Sequence, residues 1–153
     1  MSITTANMED AEEISTLVAS LSHFYLLNKQ GSLPTWFCQT LTMAEFERRL
    51  SSDNYLNFAY RVKQNIVGYI AMKNKDHVYH LFVAENYQGR GIARQLWEHA
   101  VNATQMTQYT VRASLYAIDT YKAFGFTISA EAANKDGMGY QPMQHNTRLK
   151  LNA

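Results

Sequence analysis

The sequence contains a single cysteine, Cys38, so no disulfide bond can form within the chain. It also lacks the basic and then apolar N-terminal run of a secretion signal, and no apolar stretch approaches the length of a membrane span. These absences predict a cytoplasmic protein with no membrane partner. In such a reducing compartment we expect Cys38 to be a small buried hydrophobic residue.

An excess of charge of either sign is absent as well, because 14 Lys and Arg are balanced by 13 Asp and Glu, for a net charge of +1. No overall field therefore draws the protein to nucleic acid, and an anion has to be bound by local groups. No repeat and no linker rich in Pro, Gly or Ser divides the chain. We therefore expect residues 1–153 to form one domain.

Hydrophobic periodicity predicts an α/β (α+β) fold with the order β-α-α-β-β-β-α-β-α-β-β. The predicted strands are residues 2–6, 55–62, 66–72, 77–83, 109–113, 126–129 and 139–149. The second to fourth strands are separated by short polar turns, which indicates an antiparallel meander. Pro142 cannot donate a ladder hydrogen bond, so we expect it at a sheet edge or a bulge.

Helices are predicted to begin after Asn7 and Thr42, whose side chains suit N-caps, and to span 91–103 and 117–124. The first should end near residues 28–31, and Gly125 should end the last. The apolar face of the first helix consists of Ala11, Ile14, Leu17, Val18 and Leu21. The aromatic segment between the first two helices is predicted to be an irregular loop or a short helix.

Residues 77–94 form the most informative segment, a buried-looking strand that passes through a polar turn into a helix. The first amides of a helix have no carbonyl partner and lie at the positive end of its dipole, so they can bind a phosphate. Gly89 and Gly91 permit close approach of the backbone, while Arg90 and Arg94 add positive charge nearby. An alternative is that the two glycines only make a tight turn, and the glycines alone do not separate these interpretations.

Two other phosphate-binding motifs are missing from this segment. No Gly-Lys-Ser/Thr sequence forms a Walker loop. The third glycine of a dinucleotide fingerprint is absent, and no parallel βαβ unit precedes the turn. A mononucleotide or dinucleotide site of either type is therefore not expected.

The segment resembles the coenzyme motif of the GNAT N-acetyltransferase superfamily, Gln/Arg-x-x-Gly-x-Gly/Ala, through Gln88, Gly91 and Ala93. Residues 116–126 resemble the family's segment with Ala, then Tyr, then Gly-Phe, and residues 139–143 resemble the closing strand of many members. The likeness covers nearly the whole chain. It implies a GNAT-like, mixed and mostly antiparallel sheet of about six to seven strands flanked by about four helices.

The resemblance implies that acetyl-CoA is the co-substrate, with its pyrophosphate at the start of the helix and its pantetheine arm along the preceding strand; no metal is expected. The residues implied to bind coenzyme A are Leu81, Phe82, Val83, Gln88, Gly89, Arg90, Gly91, Ile92, Ala93, Arg94, Ser114 and Tyr121. Ser114 is a departure, because many relatives have Asn seven positions before the tyrosine.

The implied reaction transfers the acetyl group to a primary amine of a small molecule or peptide by direct attack. An alkylamine has a pKa of about 10, so it has to lose a proton before it attacks. A strand amide at Phe82 or Val83 is a candidate donor to the developing oxyanion. Tyr121 occupies the position of the tyrosine that many family members use as the acid, although its ring alone would also suit packing of the short helix.

For the base, related enzymes often have Glu or His eleven positions before the Gln/Arg of the motif, which is His77 here. Strand alternation places Tyr79 on the same face as His77 and puts His80 opposite, unless a bulge intervenes. A histidine is suited to proton removal near neutral pH. We prefer His77 to His80 as the base; the alternative is that each histidine serves only the packing of the strand.

Tyr25, Trp36, Phe37 and Tyr55 are candidates to line an acceptor pocket. No acidic cluster indicates a polyamine, and the acceptor is not identified. Two other functions remain open: a non-catalytic acyl-CoA-binding or sensing domain, and an interaction module that uses an exposed edge near Pro142. A homodimer through the last strands occurs in relatives, and the sequence does not decide it.

Overall fold

The structure is a computed structural model that describes residues 2–21 and 33–147. Its strands are β1 (Ser2–Thr5), β2 (Tyr55–Val62), β3 (Asn65–Lys73), β4 (His77–Val83), β5 (Gln108–Ser114), β6 (Thr127–Ile128), β7 (Ala133–Lys135) and β8 (Met138–Asn146). Its helices are α1 (Ala11–Leu21), α2 (Thr35–Thr40), α3 (Met43–Ser51), α4 (Ile92–Thr104) and α5 (Ile118–Phe124). The predicted end of the first helix and Tyr25 lie outside the described residues.

The strands form one sheet in the order β1-β2-β3-β4-β5-β8-β6, and β7 also pairs with β8. Every pairing is antiparallel except that of β4 with β5. The prediction of a mixed, mostly antiparallel sheet with flanking helices is therefore confirmed. Within the described residues, no helix has the length and apolar character needed to cross a membrane.

Two elements exceed the predicted number. β7 and β8 form a hairpin because Asp136 and Gly137, with φ of 53° and 87°, supply a two-residue turn between the paired Lys135 and Met138. The sheet therefore has eight strands. The aromatic segment after residue 33 forms the short helix α2, which has no buried residue. Cys38 lies on this helix and is exposed, so the prediction of a buried cysteine is wrong.

The predicted N-caps and the predicted stop at Gly125 are confirmed, although Asn7 caps a 3-10 turn, Met8–Asp10, that leads into α1. The Asn7 side chain accepts a hydrogen bond from the Glu9 amide, and Asp10 accepts one from the Asn7 amide. Thr42 Oγ1 accepts from the Glu45 amide at 3.3 Å. All five predicted core residues of α1 are buried, namely Ala11, Ile14, Leu17, Val18 and Leu21. Gly125, at φ of 104°, ends α5.

Hydrophobic residues pack on both faces of the sheet, since alternating residues of β3 belong to different clusters. Ile70 packs in the cluster that includes α4, whereas Tyr69 packs in the one that includes α1 and α3. Gly68 brings α4 close to β3, because a Cβ there would lie 3.0 Å from Leu96 Cδ1 and 3.1 Å from Ile92 Cγ2. This close contact fixes the start of α4 relative to the sheet.

Pro142 does not lie on an outer strand. Its strand β8 pairs with β5 on one side, where Pro142 is opposite Arg112. On the other side the partner of β8 changes from β6 to β7 along the strand. The Pro142 carbonyl accepts a hydrogen bond from the Ser129 amide at 3.1 Å in the interval between those partners. The missing N–H therefore falls at a break in the ladder.

The parallel pairing of β4 with β5 is very short. It consists of His77 with Thr110 and Val78 with Val111. Beyond Val78, β4 continues to pair with β3 on its other side, while β5 continues to pair with β8. The two strands therefore diverge toward their carboxyl ends and leave a gap in the middle of the sheet.

Candidate active site

The α4 cleft is a cavity of about 480 Å³ that extends from the gap between β4 and β5 to the start of α4. Every residue predicted to bind the coenzyme lines it except Arg90. The lining residues that sequence reasoning missed are Leu21, Tyr87, Tyr116, Ala117, Thr120, Ala123 and Phe124. Five of these seven lie within residues 116–126, the segment that resembles the family's segment with Ala, then Tyr, then Gly-Phe.

The start of α4 presents unpaired amides to this cleft. Gly91 precedes the helix with φ of 81° and provides no side-chain cap, and the first helical bond runs from the Gln95 amide to the Gly91 carbonyl at 3.1 Å. The N–H groups of residues 91–94 therefore have no acceptor among the described residues. A Cβ at Gly89 or Gly91 would meet no atom within 4 Å, so the approach is open.

The two arginines of the turn have different surroundings. Arg94 Nη2 donates to the Ala123 carbonyl at 2.9 Å, and its guanidinium lies 5.4 Å from the Phe124 ring. Arg94 therefore joins α4 to α5 across the cleft. Arg90 lies 5.0 Å from the Tyr87 ring at the surface. Arg90 is placed near the cleft but does not form its wall.

The edge of β4 that faces the gap carries backbone groups of alternate residues. The Ala84 amide donates to the Val67 carbonyl of the preceding segment at 2.8 Å. In an antiparallel ladder, the backbone N–H and C=O of Phe82 therefore also point toward β3. The backbone groups of Leu81 and Val83 point the other way, toward the gap. The Val83 carbonyl accepts from Gln88 Nε2 at 3.0 Å. Of the two predicted oxyanion donors, Val83 is therefore the one whose amide faces the gap.

Tyr121 is buried on α5, and its ring packs edge-on against Phe124 and Phe126 at 5.8 Å and 5.3 Å. It also lines the α4 cleft. Its hydroxyl has no hydrogen-bond partner among the described residues. Burial raises the pKa of this phenol above its ordinary value, so the hydroxyl stays protonated at neutral pH. The position combines an aromatic packing role with an available proton donor.

The α2 cleft is a second cavity of about 420 Å³, lined by α2 residues and by the ends of β3, β4, β5 and β8. Ser114 lines both clefts and is the residue they share. The predicted acceptor residues Trp36 and Phe37 lie in its wall. Tyr55 packs edge-on against Tyr79 with ring centroids 5.5 Å apart, but it is not one of the residues that line the cleft.

His77 and His80 both line the α2 cleft because of a bulge in β4. Ala71 pairs with His80 and Met72 pairs with Val78, which leaves Tyr79 as the extra residue. The bulge turns His80 to the side of α3. The alternation that would have placed His80 opposite Tyr79 is therefore interrupted here.

His80 is a buried residue that stacks on Phe46 with ring centroids 5.6 Å apart. Its Nε2 is closed off and has no hydrogen-bond partner among the described residues. Burial lowers its pKa to about 3, and the positive charge of Arg49 acts in the same direction. His80 is therefore a neutral packing residue at physiological pH.

His77 is half-buried, and its Nδ1 lies 2.8 Å from Thr110 Oγ1. Burial lowers its pKa below the ordinary 6.5, helped by the charges of Arg112 and Lys73 and opposed by Asp76. The imidazole is therefore neutral near pH 7. One ring nitrogen is held by Thr110, so the geometry favours His77 over His80 as a group that can take up a proton.

Among residues 2–21 and 33–147, no group of three or more His, Cys, Asp or Glu side chains is placed to hold a metal ion. At the α4 end of this cleft, the groups that can hold a ligand are the backbone amides of residues 91–94 and the side chain of Arg94. Such a donor set is typical of an anion site.

Comparison with known proteins agrees with this architecture. No curated protein matches the chain by sequence. The GCN5-related N-acetyltransferase from Rhodopseudomonas palustris is similar in structure, with a TM-score of 0.73, 21% identity and coverage of 95% of this chain and 94% of that chain. The PaiA N-acetyltransferase from Thermoplasma acidophilum, solved in complex with coenzyme A, is also similar in structure. Its TM-score is 0.76 at 14% identity, and the match covers 95% of this chain and 99% of that chain.

The ribosomal-protein-S18-alanine N-acetyltransferase from Escherichia coli has a TM-score of 0.70 and 15% identity, with coverage of 95% of this chain and 92% of that chain. At these identities the likeness shows the fold. The acetyltransferase (GNAT) domain family matches residues 16–147, which is most of the chain. This protein therefore belongs to the GNAT acetyltransferase family.

Proposed function

We propose that this protein transfers an acetyl group from acetyl-CoA to a primary amine of a small molecule or peptide. One observation supports the proposal above all. The α4 cleft extends from the unpaired amides of residues 91–94, along the free edge of β4, to Tyr121. An elongated cofactor with an anionic end and a reactive end fits this order of groups.

The residues present fit the coenzyme at both parts of the cleft. Unpaired amides at the start of a helix, with Arg90 beside them, suit the two negative charges of a pyrophosphate. The backbone groups of Leu81 and Val83 that face the gap suit the amides of a pantetheine arm, as an added strand would. Ser114 adds a hydroxyl where the two clefts meet. Bound here, acetyl-CoA supplies an activated thioester.

The acceptor amine enters by the α2 cleft, where His77 provides the base. With Nδ1 held by Thr110, Nε2 is left to accept the proton that the amine nitrogen loses before it attacks, directly or through a water. The lowered pKa of His77 keeps this nitrogen unprotonated at neutral pH.

Two groups of the α4 cleft complete the reaction. The Val83 amide donates to the carbonyl oxygen while negative charge develops there. Tyr121 donates its phenolic proton to sulfur as the C–S bond breaks, and the raised pKa of the buried phenol keeps that proton in place until then. The nitrogen then loses its second proton to solvent, and solvent returns a proton to the Tyr121 phenolate. The products are the N-acetylated amine, coenzyme A and the one proton taken up by His77.

The test combines calorimetry with a turnover assay. Acetyl-CoA is titrated into the protein, and thiol release is then measured with a panel of primary amines. Cys38 is exposed and would react with the thiol reagent, so the assay uses the Cys38→Ser variant. Binding together with release supports the proposal. Binding without release from any amine would indicate the non-catalytic acyl-CoA-binding domain, and a lack of binding would contradict both.

A further inference from the structure

Three basic side chains line the α2 cleft: Lys73 at the end of β3, Arg112 on β5 and Lys135 on β7. Among the described residues that line it, none is Asp or Glu. The salt bridges of the described residues involve other cations, namely Arg48, Arg49 and Arg61. Lys73, Arg112 and Lys135 therefore have no carboxylate partner in the part of the chain that the structure describes.

Aromatic rings of the same cleft hold these cations in position. Lys135 Nζ lies 4.2 Å from the centroid of the Trp36 ring, and Arg112 Cζ lies 5.5 Å from that of Tyr140. Lys73 Nζ lies 6.0 Å from the Tyr79 ring. Such contacts orient a cation without neutralising its charge. The positive charges therefore remain available to a ligand.

The two acidic residues beside the cleft do not cancel this charge. Asp136 accepts a hydrogen bond from Trp36 Nε1 at 2.7 Å and lies outside the lining. Asp76 precedes His77 and also lies outside the lining. Both carboxylates are exposed on turns and are not lining residues, so the charged side chains that line the cleft are basic.

Strand register brings the cations close to the proposed base. Lys73 pairs with His77 across β3 and β4, and His77 pairs with Thr110 across β4 and β5. Arg112 is two residues beyond Thr110, on the same face of β5, while Val111 between them packs into the core. A ligand whose amine reaches His77 therefore places its neighbouring atoms among Lys73 and Arg112.

We propose that the acceptor is an amine that also carries an anionic group, a carboxylate or a phosphate, on an apolar or aromatic body. This inference rests on the proposed function and names the acceptor class for the same site. The anion pairs with cations that have no carboxylate partner among the described residues, and the rings of Trp36, Phe37 and Tyr79 contact the body. A polyamine would bring a second positive charge among three others and be repelled.

The kinetic test uses pairs of amines that differ by the anion: phenylalanine with 2-phenylethylamine, and phosphoethanolamine with ethanolamine. We expect the anionic member of at least one pair to have a kcat/KM at least about tenfold higher, and the two pairs distinguish carboxylate from phosphate. Arg112→Gln and Lys135→Gln should each reduce this ratio by about tenfold. The two amines of a pair differ in pKa, but this difference is the same for every variant. It therefore cancels when the ratio of the two kcat/KM values is compared between variants.

Lys63→Gln is the matched control, because Lys63 lies in the turn that precedes β3, at the opposite end of that strand from Lys73. It makes the same change of charge and should leave the ratio unchanged. Thermal melting of each variant checks that it is folded. Faster turnover of the neutral member in both pairs, or of spermidine, would overturn the proposal.

A binding test separates this proposal from the reaction itself. Wild-type protein is titrated by calorimetry with 3-phenylpropionate, phenyl phosphate and the neutral 3-phenylpropionamide. At least one anion should bind about tenfold more tightly than the amide, and Lys135→Gln should remove that difference. This result with no turnover of any amine would support the anion site and contradict the proposed function. Equal binding of all three compounds, or binding of none, would overturn the anion site.

Discussion

His77 and Thr110 face each other across the short parallel pairing of β4 and β5, with His77 Nδ1 2.8 Å from Thr110 Oγ1. This contact fixes the plane of the imidazole and occupies one of its two nitrogens. When Nδ1 carries the hydrogen and donates it to the hydroxyl, Nε2 keeps its lone pair. The ring is then oriented for uptake of a proton from the acceptor side.

In a plot of kcat/KM against pH, the decrease on the acid side should have its midpoint below pH 6.5. Burial, Arg112 and Lys73 lower the pKa of His77 from 6.5, and only the neutral ring is a base, so kcat/KM falls as the pH drops through the lowered pKa. Arg112→Gln removes a nearby positive charge and therefore raises this pKa, which moves the decrease to higher pH. The profiles are measured with one acceptor throughout. A decrease that stays in place or moves to lower pH would contradict the assignment of His77.

Tyr121→Phe should lower kcat by about a hundredfold or more while the Kd for acetyl-CoA stays nearly unchanged. The substitution removes a hydroxyl that has no partner in the described structure and keeps the ring that packs on Phe124 and Phe126. The melting temperature should therefore hardly change. Steady-state kinetics and calorimetry on the same preparation provide the measurement, and an unchanged kcat would remove Tyr121 from the reaction.

Gly91→Trp should abolish acetyl-CoA binding in a folded protein. A side chain at this position extends into the space in front of the helix amides, and nothing within 4 Å of its Cβ opposes it. The positive φ of 81° adds a strain of about 1 kcal/mol. Gly137→Trp is the matched control, since Gly137 has φ of 87° and open surroundings but lies in the β7–β8 turn. Calorimetry should show normal binding for that control, and normal binding by both variants would contradict the anion site on α4.

His80→Leu should make the free energy of unfolding less dependent on pH. The pKa of His80 is about 3 in the folded state against 6.5 for an ordinary histidine. As the pH falls, His80 is therefore protonated in the unfolded chain before it is protonated in the folded protein. Stability associated with His80 is therefore complete above about pH 6.5 and declines toward pH 3, with a slope of about 1.4 kcal/mol per pH unit. Urea unfolding between about pH 6 and about pH 5 should show a slope reduced by about this amount in the variant. An identical slope would mean that His80 is not held neutral.

The sequence predicted the fold well where hydrophobic patterns are long. The bounds predicted for β2 and β4 agree with the structure, because runs of β-branched and aromatic residues end at clear polar turns. The hairpin of β7 and β8 was missed although Asp136-Gly137 is a strong turn signal, since no alternating hydrophobic run accompanies it. The bulge at Tyr79 depends on the register of β3 against β4, which one strand does not encode.

The residues that line the two clefts also differed in how well the sequence predicted them. Eleven of the 18 residues that line the α4 cleft were predicted, because nine of them come from the end of β4 and the motif from Gln88 to Arg94, which are close together in the sequence. The basic wall of the α2 cleft was missed because Lys73, Arg112 and Lys135 come from three strands that are distant along the chain. A local pattern predicts groups that are close in sequence, whereas this wall exists only through the pairing of the sheet.

The divergence of β4 and β5 also limits how inhibitors can be built. Because Ser114 is the one lining residue that the two clefts share within residues 2–21 and 33–147, a compound in one cleft leaves the walls of the other accessible. A single molecule that joins the coenzyme sulfur to an acceptor through a short acyl bridge would pass beside Ser114 and contact both walls at once. Such a conjugate should bind more tightly than either half alone, because one molecule loses its translational and rotational freedom once, whereas two separate ligands each lose theirs.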